Sequence, residues 1–184
     1  MLSFIKNIFS KKTQDTNILK KHKWSINIIK IYISPLRISG YKENEEKYKN
    51  MVIQAFDTWV AASGGKFSCE ICENLCDSYI NVEWKKFDKK SFGACSFNYD
   101  DQGRLYSAEI SIGLFPKKAD EIRYDAEIYH SILHCCGIAL GVAQTNNPED
   151  IMCIPHQYGK IELSENDRKS IFDLYNSEEI EVEN

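Results

Sequence analysis

The stretch HCCGIALGVAQTNNPEDIM, residues 134–152, decides how this chain is read. Its first half closes an apolar segment that predicts a helix from about Asp120 to Leu140, with Gly141 where a left-handed C-terminal cap belongs. Its second half, rich in Asn, Pro and Asp, reads as a turn and loop that ends on Met152. Within the helix Cys135 and Cys136 are adjacent and point about 100° apart, so at most one of them faces a cleft. Cys136 falls with Tyr129, Ile132 and Leu133 and reads as core packing.

Working outward, WSINIIKIYI from Trp24 is β-branched and aromatic and predicts a strand, ended by SPLRISG. From Glu43 to Ala62, Tyr48, Val52, Ala55, Phe56, Trp59 and Val60 recur at helical spacing, and Ser63-Gly64-Gly65 stops the helix. KFSCEI and YINVEW predict strands, with Cys69 and Ile71 turned inward on the first and Ile80, Val82 and Trp84 on one face of the second. A turn at Asp101-Gln102-Gly103 feeds a further strand, as in a hairpin. Ser164 and Asp167 predict a capping box opening a last helix through Ile171, Leu174 and Tyr175. The order of elements makes a single α+β domain over residues 24–176, between a basic leader (1–23) and an acidic tail (177–184).

Composition sets further bounds. At 184 residues, 43% hydrophobic and 27% charged, the chain is an ordinary globular protein, and a net charge of -4 argues against nucleic acid as a partner. Seven cysteines exclude a fully paired disulfide framework, so reduced thiols in a cytosol-like compartment are expected. Lys6 and Asn7 break the apolar run of MLSFIKNIFSKK, which makes a poor secretory signal. Leu2, Ile5, Ile8 and Phe9 share a helical face followed by lysines, a pattern that suits an anionic membrane surface, and peripheral membrane association is the alternative to a cytoplasmic location.

The quoted stretch resembles the matrixin-type metzincins, the family of matrix metalloproteinases and their bacterial relatives, whose signature is H-E-x-x-H-x-x-G-x-x-H followed by a Met-turn. His134 falls on the first histidine, Gly141 on the glycine and Met152 on the Met-turn methionine, and NNPEDIM is similar to the run before the bacterial-type Met-turn. Pro155 and Tyr158 resemble the cleft-wall segment that follows. AFDTWVAASGGKFS, INVEW, DQGRLYSAEISI and LSENDRKSIFDLY resemble runs at matching places, so the likeness covers about 24–175. It implies a metzincin-like catalytic-domain fold: a twisted, mostly parallel sheet with an antiparallel edge strand bordering a cleft, plus three helices. The calcium and structural-zinc loops of the family find no match.

The same register exposes departures. Cys135 stands at the general-base glutamate, Ile138 at the second histidine and Gln144 at the third. The glutamate would polarise a zinc-bound water, and the three histidines would hold the ion. Four-ligand sites bind zinc with about 10–16 kcal/mol, or roughly 3–4 per ligand, so one histidine alone holds it at about millimolar strength. The expectation is therefore an inactive peptidase homologue with no catalytic residue and no cofactor, whose residual cleft takes an extended peptide or protein along Ser107–Ser111. Three alternatives stay open: an active zinc metallopeptidase using His130, His134, Cys135 and His156; a structural metal held by Cys69, Cys72, Cys76 and Cys95; and a membrane-surface protein working through its leader. Cys135 beside His134 also raises a thiol nucleophile, although nothing supplies an orienting group.

Overall fold

The computed structural model describes residues 22–87, 93–116, 120–157 and 159–177. The leader proper, Tyr158 and the acidic tail beyond Ser177 lie outside the described residues. The fold is α+β, with three helices and a mostly parallel six-stranded sheet. Its elements are β1 (Lys23–Trp24), β2 (Ile28–Ile33), α1 (Glu45–Ala62), β3 (Ser68–Ile71), β4 (Ile80–Lys86), β5 (Gly93–Tyr99), β6 (Arg104–Leu114), α2 (Glu121–Ala139) and α3 (Glu165–Asn176).

Across the sheet β6, β4, β2 and β3 lie side by side in parallel, β1 also pairs with β6 in parallel, and β5 alone runs antiparallel against β6. Alternation along the strands buries Ile29, Ile31, Ile80, Val82, Ile110 and Ile112 on one face. Val52, Phe56 and Trp59 of α1 and Ile128 and Ile132 of α2 complete that core. No helix among the described residues is long and apolar enough to cross a membrane.

The local signals hold where they are strongest. Asp100 Oδ1 accepts from the backbone N–H groups of Gln102 and Arg104 at 3.0 and 2.9 Å, which makes the β5–β6 reversal. Ser164 caps α3 reciprocally with Asp167.

Three expectations are corrected. WSINIIKIYI is not one strand: β1 pairs with β6 and β2 with β3 and β4, so the chain changes neighbours across residues 25–27. Trp24 is the pivot, its indole Nε1 donating to Ala139 O at 2.9 Å inside the protein. Ser107–Ser111 is not an edge, because β6 is flanked by β4 and β5, and the strand that borders the sheet there is β5. On β3 only Cys69 packs against the core, while Ile71, the last residue of a strand at the end of the sheet, is 42% exposed.

Candidate functional site

The site is assembled by the C-terminal half of α2 and the loop that folds back beneath it. Gly137, in the last turn of the helix, lets that loop in. A Cβ there would stand 2.5 Å from Met152 Sδ and 2.7 Å from the Trp59 ring, so only glycine allows methionine, tryptophan and helix to meet. Trp59 Nε1 donates to Leu133 O at 2.9 Å and fixes the same junction from α1. The helix then ends in a Schellman pattern, with Val142 N donating to Gly137 O and Gly141 N to Ile138 O, both at 2.9 Å. Gly141 has φ +87°, and a side chain there would collide with His22 O.

Two buried carboxylates hold the returning loop. Asp150 accepts from Asn147 Nδ2 and Ser164 Oγ on one oxygen, and from Thr145 Oγ1 and Asn166 Nδ2 on the other. Burial alone would raise its pKa, but these donors hold the carboxyl below its ordinary value. Asp167, which accepts from Ser164 N at 3.0 Å as part of the α3 cap, also accepts from Ile151 N at 2.7 Å and Met152 N at 3.3 Å. The methionine loop is thus pinned by its own backbone to the first turn of α3.

That pinning orients His134. Its Nδ1 lies 2.8 Å from Ile151 O, and since a carbonyl only accepts, Nδ1 carries the proton and Nε2 keeps its lone pair. Gln144 Nε2 donates to that lone pair at 3.4 Å, a long contact. Burial, opposed in part by the Ile151 hydrogen bond, lowers the His134 pKa to about 4, so the ring is neutral. His156 packs edge-on against it with ring centroids 4.2 Å apart. Burial first, then the neighbouring His134 and His130, lower the His156 pKa to about 3. His130 lies 6.0 Å from His156, and its Nδ1 meets Lys160 O at 2.9 Å.

Of the remaining singled-out positions, Ile138 is half-buried against the core and Pro155 is exposed. Tyr158 is outside the described residues. Cys135 is 3% exposed, and burial pushes its thiol up to about 12, which removes the thiolate that a nucleophile needs. Cys136 is core, as expected.

The four-cysteine cluster does not assemble. Cys69 is on β3 and Cys95 on β5, with β2, β4 and β6 between them, about 19 Å at the usual strand spacing. Among the described residues no group of three or more His, Cys, Asp or Glu side chains is arranged to hold a metal ion.

Zinc fits poorly at the positions that the metzincin resemblance assigns to it. Only His134 presents an imidazole, its lone pair already accepts from Gln144, and Ile138 has no donor atom. Sequence reasoning missed Asp150, the second role of Asp167, and the contact of His156 with His134. Gly137 in an apolar helix was a readable signal of close approach, since an interior glycine there costs about 1 kcal/mol without some return. No family model matches the chain, and no curated protein matches it.

Proposed function

We propose that this chain is a metzincin-like domain that has lost its peptidase centre and serves as a peptide- or protein-binding scaffold. The observation that carries the reading is the convergence of the first and third ligand positions. His134 Nε2 and Gln144 Nε2 meet at 3.4 Å beside the buried Met152, with Ile138 on the same helix. The tautomer is the one a zinc ligand requires, its far nitrogen donating to a backbone carbonyl. The frame suits a metal, and the side chains that would do the chemistry are apolar, neutral or buried. β5 pairs only with β6 among the described residues, which leaves an edge where an extended peptide can add a strand.

The test is to incubate the purified protein with a pool of fluorescent extended peptides, reading binding by anisotropy and cleavage by mass spectrometry. Retention without cleavage supports the reading. Cleavage abolished both by a chelator and by His134→Ala overturns it.

A second reading draws on the nearness of His156 to two imidazoles of α2, its ring centroid lying 4.2 Å from that of His134 and 6.0 Å from that of His130. It takes these imidazoles, which as they stand are not arranged to hold an ion, as a set that zinc would have to draw together for an active peptidase, and the same chelator-sensitive cleavage would establish it.

A further inference from the structure

The seven thiols are not equivalent. Cys135, Cys136 and Cys153 are buried in the core or beneath the methionine loop. Cys69 and Cys95 pack against the core from strands at opposite ends of the sheet. Burial pushes the Cys69 thiol up to about 12 and those of Cys95 and Cys136 well above the ordinary range, so none of these offers a thiolate near neutral pH. Cys72 is half-buried and Cys76 exposed, and both lie in the turn between β3 and β4.

That turn places them on one small unit. Residues 75–77 form a 3-10 turn, closed by Asp77 N donating to Asn74 O at 3.1 Å and by Asn74 Nδ2 donating to Asp77 Oδ2 at 3.2 Å. The Cys72 thiol donates to the same Asn74 O at 3.4 Å, and the Cys76 thiol lies 4.0 Å from Asp77 Oδ1. Neither sulfur is buried in packing, and a single short turn lies between them.

We propose that Cys72 and Cys76 are a modification site, an accessible dithiol that low-molecular-weight disulfides such as oxidised glutathione convert reversibly to an internal disulfide. The Cys76 thiolate attacks one sulfur of the glutathione disulfide and expels one glutathione, leaving a mixed disulfide. The Cys72 thiolate then attacks the Cys76 sulfur and expels the second glutathione. Two protein thiols are oxidised to one disulfide, one glutathione disulfide is reduced to two thiols, and the two protons pass from the protein thiols to the departing glutathione thiolates. The reaction lies at the β3 side of the sheet, away from β5, and does not depend on the function of the cleft.

The test is equilibration of the native protein in glutathione buffers of graded redox poise, alkylation of free thiols, and tandem mass spectrometry. Cleavage after Lys66 and Lys85 places Cys69, Cys72 and Cys76 on one peptide. The expected product has lost two hydrogens, with Cys72 and Cys76 protected and Cys69 alkylated after denaturation, and excess dithiothreitol restores it. Cys72→Ser should leave a glutathione adduct on Cys76, and Cys76→Ser should abolish the loss of hydrogens. Pairing through Cys69, separate adducts on both residues, or two unreacted thiols would each overturn the proposal.

Discussion

Two parts of one small region differ in how completely their polar groups are engaged. Below His134 the support is complete: Asp150 takes four hydrogen bonds, Asp167 takes two beyond its cap with Ser164, and Met152 fits against a helix whose last turn carries a glycine. Beside His134, where the resemblance puts the general base and the other two ligands, stand a protonated thiol, an aliphatic chain and a neutral amide. On the proposed reading, the contrast separates the residues that fold the domain from those that would have done its chemistry. A ligand can be exchanged for an isoleucine and gain packing, because burying a side chain of that size contributes about 1.5–3 kcal/mol. A carboxylate that satisfies three buried backbone donors has no such substitute, since each orphaned donor costs about 1–3 kcal/mol.

The largest effect should therefore come from the supporting side. Asp167→Ala orphans the N–H groups of Ile151, Met152 and Ser164 together and should cost about 4 kcal/mol in urea unfolding. A loss under 1 kcal/mol would erase the contrast.

Acid sharpens it on the other side. His134 is held near 4, below the ordinary histidine value of 6.5, so the unfolded chain takes up a proton that the folded protein refuses. Its contribution is fully present above pH 6.5 and is lost as the pH falls toward 4, roughly 3 kcal/mol in all. His156 acts in the same direction. Melting temperatures measured between pH 7 and pH 4 should fall steadily in the wild type and less steeply in His134→Gln.

A smaller effect is expected of Gly137→Ala, whose methyl must displace Met152 Sδ and the Trp59 ring; the cost should be about 2 kcal/mol in urea. Met152→Leu or Met152→Ala in the same background should recover part of that loss if the methionine is the obstacle.

How much of this was legible depended on how local each signal was. The end of α2 at Gly141 and the Ser164–Asp167 cap are written within a few residues, and both are found where the sequence puts them. The break between β1 and β2 was not legible, because it depends on which strand each half pairs with. Strand order also decides the cysteines: a C-x2-C-x3-C run beside a distant Cys95 reads as a cluster until β3 and β5 are found three strands apart in the sheet. His134 was singled out from its position, but its tautomer and neutral state come from Ile151 O and burial, which the loop fixes only through Asp167.

The most direct test of the central claim restores what the frame lacks. Ile138→His with Gln144→His, purified without a histidine tag from zinc-supplemented cells beside the wild type, should carry about one zinc per chain by elemental mass spectrometry, and the wild type close to none. Zinc already stoichiometric in the wild type would contradict the account, as would a double variant that folds, judged by circular dichroism and melting, and still binds no metal.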